Sequence, residues 1–207
     1  MANNLKIASP LGELQWVTFN GEGREDQQGN MKYLATVVMS KEKAQPMMDK
    51  LDKFWADNRP KAIKTPKTKG YRDHHIPKLD ANGKPEIDPE TDKKIYVPHP
   101  DGLIEMTFKT GTTWPDGKPK HVTIYDYKGN KSDLGDIQIG NSSTGVIHGA
   151  AGIYTVGKRN ITDAGVTLYL NGIQLQKLVE YTGGDDVQEM AEGDSLPTEL
   201  PGALPEA

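Results

Sequence analysis

Residues 31–57 read MKYLATVVMSKEKAQPMMDKLDKFWAD, and the spacing of their apolar side chains changes half-way along. Met31–Met39 is rich in β-branched and apolar residues, the composition of a strand packed on a pleated surface. Ser40 then offers a side-chain oxygen to the unpaired N–H groups that open a helix. After it Ala44, Met47, Met48, Leu51, Phe54 and Trp55 recur at spacings of three, four and one. That is the stripe of an amphipathic helix of roughly four turns. Pro46 falls early enough to be tolerated. Phe54 and Trp55 lie on the stripe and are read as core.

Outward from this unit, strand signals dominate. Residues 11–20 alternate loosely, Leu14, Trp16 and Thr18 against Gln15, Val17 and Phe19, and Asn20-Gly21-Glu22-Gly23 breaks the run. Further on, Leu103–Lys109 puts Ile104, Met106 and Phe108 on one face. Lys120–Tyr127 alternates again, and Lys128-Gly129-Asn130 is a turn. Ile137–Ile139 is a short apolar run. Gly145–Val156 is β-like but glycine-rich, as where a strand bends. Gly165–Val179 is long, and its alternation resets at Asn171-Gly172, which predicts a bulge or bend. The expectation is a mainly β fold: an antiparallel Greek-key barrel with one inserted amphipathic helix and long loops, ahead of an open sandwich.

Between the helix and the later strands, residues 58–102 carry seven prolines and the turn pair Asn82-Gly83. They are read as a long excursion with one short hairpin. Its start is basic: Arg59, Lys61, Lys64, Lys67, Lys69 and Arg72 with no acid among them.

Charge is partitioned along the chain. The formal charge of −4 comes from 25 bases and 29 acids. Residues 178–207 hold eight acids and no base, leaving 25 bases against 21 acids in residues 1–177. From Gly183-Gly184 onward the acids are joined by Pro197, Pro201 and Pro205 and few apolar side chains. Such a segment buries too little to offset chain entropy, so 183–207 is expected to be a disordered acidic tail on a folded domain spanning 1–182. There is no cysteine, which excludes thiol catalysis, disulfides and thiolate zinc sites. No apolar run approaches membrane-spanning length. The start, Met1-Ala2-Asn3-Asn4, has neither the basic nor the apolar segment of a secretory signal, so neither a membrane partner nor export is expected.

A protein that holds unpaired nucleic acid needs cations for phosphates and flat rings on which bases stack. This chain interleaves the two: Trp16; Lys32 beside Tyr33; Tyr71 beside Arg72; Trp114 in a proline- and glycine-rich loop ending at Lys120; Tyr154 ahead of Lys158-Arg159. Each of these residues taken singly is better explained by packing; only the joint pattern of basic body, rings and acidic tail carries the reading. Tyr125, Tyr127 and Tyr169 on strands could simply pack, and the sequence does not separate tyrosines that stack from those that pack. The rival chemistries are weaker. Of five histidines only Asp73-His74-His75 is clustered, and adjacent residues of an extended chain point to opposite sides. A metal-dependent nuclease around Asp73 and His75 is held as an alternative, and a protein-binding β-barrel adaptor as another. Gly140–Gly145 lacks the Lys ending of a phosphate loop. No cofactor is expected.

The ordered set of features resembles the OB-fold single-stranded DNA-binding proteins of tailed bacteriophages, the replication and recombination type. The matching stretches are Tyr33–Met39 with Ser40–Asp57, Asp101–Lys109, Lys120–Ile124 with Asp126–Gly129, Ile139–Ser143, Tyr154, Gly165–Leu168, Leu175–Val179 and Gly183–Asp186. The resemblance implies an OB-fold-like barrel whose groove holds single-stranded DNA, with Lys109, Trp114 and Tyr154 as groove residues. Arg72, Lys120, Lys158 and Arg159 are added from charge alone. It further implies a non-enzymatic protein of DNA replication, recombination and repair in the cytoplasm of the infected bacterial host. Its tail, here Asp185, Asp186, Glu189, Glu192 and Asp194, would compete with DNA and recruit a polymerase and a helicase/primase. Weak self-association is left open. The tail ends Leu204-Pro205-Glu206-Ala207, without the terminal aromatic frequent in that family.

Overall fold

The computed structural model describes residues 4–26, 28–157 and 160–181; Lys158, Arg159 and the acidic segment from 183 lie outside them. The strands are β1 (Leu5–Ala8), β2 (Gly12–Thr18), β3 (Arg24–Glu25) and β4 (Met31–Met39), followed by helix α1 (Lys41–Asn58). Five short strands come next: β5 (Arg72–Asp73), β6 (His75–Pro77), β7 (Ile87–Asp88), β8 (Lys93–Lys94) and β9 (Tyr96–Pro98). The rest are β10 (Ile104–Gly111), β11 (Thr123–Tyr125), β12 (Lys131–Ser132), β13 (Ser143–Val156) and β14 (Asp163–Lys177). No helix among the described residues is long and apolar enough to cross a membrane.

The five long strands form a ring: β2 on β4, β4 on β10, β10 on β14, β14 on β13, and β13 back on β2. Counted along the chain, the ring order is 1-2-3-5-4-1, the OB-fold-like Greek-key arrangement. All its contacts are antiparallel except β10 with β14, which run parallel and meet at a single register pair, Lys109 opposite Tyr169. The expected barrel with one inserted helix is therefore the observed one.

Period-two alternation builds its core. Tyr33, Ala35, Val37 and Met39 of β4 point inward beside Ile104, Met106 and Phe108 of β10. On β14 the inward set is Ala164, Val166, Leu168 and Leu170, then Ile173 and Leu175. The parity change is real: His148 pairs with Gly172 and Gly149 with Leu170, so Asn171 is a bulge residue. Gly149 sits at the tightest point. A Cβ there would collide with the Tyr169 carbonyl oxygen and lie 2.9 Å from the Phe108 ring.

Helix α1 forms as read. Ser40 caps it, its Oγ accepting the Lys43 N–H at 3.4 Å, and Ala44, Met47, Met48, Leu51, Phe54 and Trp55 are buried. Pro46 lies beyond the four unpaired N–H groups of the first turn, so the helix forgoes one bond to the Glu42 carbonyl there. The strand expected at Lys120–Tyr127 shrinks to β11, and Ile137–Ile139 forms no strand: Ile139 makes one isolated bridge with Glu180.

The excursion holds more structure than one hairpin. Residues 67 and 68 run beside β14, with Lys67 N–H donating to Ala164 O and Val166 N–H to Thr68 O, both at 2.8 Å. β5 then pairs with β10. Beyond it a forked arm projects. Its stem is β6 on β9, and two hairpins diverge from it, residues 79–85 and 86–94. At the fork three backbones bond in a cycle: Lys78 N–H to Ile95 O at 2.8 Å, Ile95 N–H to Glu86 O at 2.9 Å, and Glu86 N–H to Lys78 O at 2.8 Å. The second hairpin escaped the sequence reading because its turn has no glycine. Asp88 Oδ1 accepts the N–H of Glu90 and Thr91, and Asp92 itself takes the left-handed conformation, φ 52°. Aspartate is one of the few residues that visits it.

Three turns share one design, Asp-x-x-Gly-Asn/Lys, at Asp26, Asp80 and Asp126. Each carboxylate accepts the N–H four residues on, at 2.9, 2.9 and 2.8 Å. These bonds hold the Asp26 and Asp80 carboxyls below the usual aspartate range, and at Asp126 the Asn130 side-chain amide, 3.0 Å from Oδ2, does most to lower it.

The packing at Gly149 yields a check on ring closure. Gly149→Ala forces backbone and Phe108 apart and is expected to cost about 3 kcal/mol, the upper range for overpacking, read as a lower urea midpoint at unchanged slope.

Candidate nucleic-acid interface

The side chains that alternate away from the core line the outside of the ring. One register row crosses six strands: Lys6 on β1, Ala150 on β13, Tyr169 on β14, Lys109 on β10, Leu34 on β4 and Thr18 on β2. Adjacent strands stand about 4.8 Å apart, so Lys109 and Tyr169 are immediate neighbours. Lys109 is exposed, Tyr169 is 40% exposed, and the small Ala150 and Gly152 leave its ring uncovered on that side. A Cβ on Gly152 would meet the Tyr169 ring at 2.8 Å. Among the described residues no ion pair engages Lys109 or Lys6. Past Tyr169 the face opens into a cleft of about 370 Å³ whose lining includes Lys6, Lys50, His148 and Asn171.

The hairpin after β10 adds an aromatic–cation pair. Trp114 N–H bonds Lys118 O at 2.8 Å and Gly117 N–H bonds Trp114 O at 2.9 Å, closing the turn. The Lys120 Nζ lies 4.3 Å from the Trp114 ring centroid and donates to Thr110 Oγ1 at 2.9 Å. The ammonium thus orients the indole, a cation–π contact, and Trp114 remains 53% exposed. Lys32 is opposite Gly111 at the start of this hairpin, with Arg24 on its other side and Asp26 3.9 Å from its Nζ.

Trp16 occupies a different kind of seat. Gln15 pairs with Thr36 and Thr18 with Leu34, so Trp16 and Val17 together oppose Ala35 in a bulge. Val17 packs on the core, while Trp16 is 58% exposed with φ 55°. A bulky residue in that region is a genuine outlier, costing on the order of 1–2 kcal/mol. Its N–H donates to Asn141 Oδ1 at 3.0 Å.

Other sequence candidates stand elsewhere. Tyr33 is buried, 6% exposed, with its hydroxyl donating to Gly21 O at 2.9 Å. Its ring faces the core because β4 places it in phase with Ala35 and Val37, so the structure removes it from the candidate face. Tyr71 is half-buried against the core and its hydroxyl donates to the Asp52 carboxylate at 2.9 Å. Burial and that carboxylate push its pKa up. Arg72 is paired through Nε with Glu105, which is buried and whose second oxygen bonds His74 Nδ1 at 2.7 Å. Arg72 therefore sits four residues down β10 from Lys109, roughly 13 Å away, neutralising an acid. Tyr154 is half-buried on β13, its hydroxyl accepting from Thr68 Oγ1 at 3.2 Å. Lys158 and Arg159 lie outside the described residues, as do Asp185, Asp186, Glu189, Glu192 and Asp194. Asp73 and His75 meet only through the Asp73 carbonyl, 2.8 Å from His75 Nδ1. Among the described residues no three His, Asp or Glu side chains gather as metal ligands.

The sequence reading missed Tyr169, Lys6 and Lys50. The signal for Tyr169 was present: Val166, Leu168 and Leu170 inward put residue 169 outward.

No family model matches the chain and no curated protein matches it by sequence. Solved structures do. The chain is similar to gp2.5, a single-stranded DNA binding protein encoded by bacteriophage T7, at 17% identity and TM-score 0.55, covering 95% of this chain and 100% of that one. The likeness is one of fold. The protein of bacteriophage Enc34 in complex with ssDNA matches at 11% identity and TM-score 0.53, over 86% of this chain and 89% of that one. Its C-terminal truncation matches at 11% identity and TM-score 0.52, over 86% and 91%.

The Glu105 cluster is a test of what the basic excursion does. Glu105→Ala leaves His74 Nδ1 without its acceptor in a buried site, an expected loss of about 2 kcal/mol in urea unfolding. Arg72→Ala, whose side chain is largely exposed, is expected to cost under about 1 kcal/mol.

Proposed function

We propose that this chain is a non-enzymatic protein that binds single-stranded DNA without sequence preference, coating and protecting it in phage DNA replication, recombination and repair. The observation that carries the reading is the outer register row in which Lys109, without an ion pair among the described residues, stands beside the exposed Tyr169. A ring gives any base a stacking face, and an ammonium without a carboxylate partner is free for a phosphate. The Trp114–Lys120 hairpin supplies a second such pair, and Lys6 and Lys50 extend the cationic track. The likeness in fold to phage proteins of this activity supports the same reading. None of these groups reads a base edge, so the binding is sequence-independent.

The acidic segment 183–207 competes for the same face. It is tethered, so its effective concentration is high, and its carboxylates imitate phosphates. When DNA displaces it, the segment is released to recruit the replication polymerase and helicase/primase. The place of action is the cytoplasm of the infected bacterial host, and self-association of the chain is weak.

A salt titration of oligo-dT affinity tests this. Four phosphate contacts, at Lys6, Lys50, Lys109 and Lys120, give a log–log slope near −3, since single strands release about 0.7 counterion per contact. Lys109→Ala is expected to reduce that slope by ~0.7. Removing residues 183–207 is expected to tighten binding at low salt. Affinity that ignores salt, or no quenching of tryptophan fluorescence by oligo-dT, would refute the proposal.

A further inference from the structure

Trp16 is the one exposed ring in this protein that the backbone holds at a cost. The other rings sit in ordinary conformations: Tyr169 and Tyr154 on regular strands, Trp114 at the mouth of a turn. Trp16 is left-handed, where glycine or asparagine would be at ease. No burial explains it, since more than half its surface is exposed. Strain of this kind persists only where surrounding structure over-determines it. That structure is present. Asn141 takes the Trp16 N–H, and Ser142 beside it is itself left-handed at φ 70°. Ser143 is fully buried and bonds Val179 twice, accepting its N–H at 2.9 Å and donating to its carbonyl at 3.1 Å. Gly140 N–H holds the same carbonyl at 2.7 Å. The turn that pins Trp16 is thus anchored on the segment that follows β14, next to the isolated bridge of Ile139 with Glu180.

Resting on the single-stranded DNA reading, we propose that Trp16 is a separate stacking platform for a base, and that Asn141 is its positioning residue. It stands on β2, two strands from Lys109 and across Leu34 from it, about 10 Å away in the sheet. A strand that lays a phosphate on Lys109 and a base on Tyr169 reaches Trp16 by continuing over Leu34 and Thr18. The ring contributes no charge, so its removal lowers affinity without altering counterion release. Because its backbone is strained, its removal does not lower stability.

Three replacements in the full chain separate platform from packing. Trp16→Asn and Trp16→Gly accept the left-handed conformation without a ring. Each is expected to weaken oligo-dT binding about tenfold, within the range of one lost base stack, with the salt slope unchanged. The thermal midpoint is expected to hold or rise by about 2–4 °C. Trp16→Tyr keeps a ring and the strain, and is expected to bind within about twofold of the parent. Asn141→Ala leaves the indole but frees its seat, and is expected to weaken binding about threefold. Full affinity in Trp16→Asn, or a thermal midpoint that falls together with affinity, overturns the inference while leaving the broader reading intact. Failure of the parent chain to bind oligo-dT at low salt overturns that reading instead.

Discussion

The barrel closes at one place, the parallel contact of β10 with β14 where Lys109 lies opposite Tyr169. Everything else follows from how tightly that seam is drawn. Inside it, Phe108 presses on the bare backbone of Gly149, which allows β13 and β14 to curl against β10. Outside it, the residues next to Phe108 and Leu168 in sequence must face solvent, because the strand period is two. They are Lys109 and Tyr169. The contact that seals the core therefore also sets a cation beside a ring on the surface. A bulge at Asn171 then resets the phase of β14, so that the strand can still bury Ile173 and Leu175 after the seam.

Much of this was legible in the sequence, and the failures have identifiable causes. Residues 31–57 announced a strand and a capped helix, and the Asn171-Gly172 reset announced the bulge, because both rest on periodicity. Tyr33 was misplaced because the contrast along β4 is weak: Lys32 and Thr36 mark the outer side, but Leu34 and Val38 on that side are as apolar as Ala35 and Val37 on the inner. Tyr169 was passed over for the opposite reason, a ring among aliphatic neighbours that looked like core. The forked arm was invisible because its fork is made of backbone bonds between Lys78, Glu86 and Ile95, groups every residue carries. Trp16 was flagged as a ring but not as a bulge, since Asn141 lies 125 positions away.

Charge shows the same gap between composition and surface. The run 59–72 is the most basic stretch of the sequence before the fold is considered. In the fold Lys67 meets Asp163 at 3.2 Å, Arg72 meets Glu105, and Lys69 lies over the Tyr71 ring. Trp55 Nε1 and Arg59 Nη1 hold the carbonyls of Lys64 and Ile63. These cations and contacts tack the excursion to the barrel and offset acids already present. Among the described residues, the cations along the outer row and its cleft that carry no ion pair are Lys6, Lys50 and Lys109, from scattered positions that no local count would join. What counts for an anionic ligand is the charge left after internal pairing, and only the ring's register assembles it.

Trp16 shows the limit of reading surface residues by propensity. A left-handed tryptophan contradicts local preference, and sequences that fold well rarely contain such conflicts except where something other than stability is served. Here the conflict is contained rather than spread. It is confined to Trp16 and to Ser142 in the facing turn, and that turn, 140–143, is tied down by the buried Ser143 through its two bonds to Val179. The strain is therefore borne by a rigid support and cannot dissipate by moving the ring. A flexible loop could present an indole without strain, but would lose the ordering entropy each time a base stacked on it. In the role proposed for Trp16, a ring fixed in advance avoids that loss, at the expense of a constant decrement in folding stability.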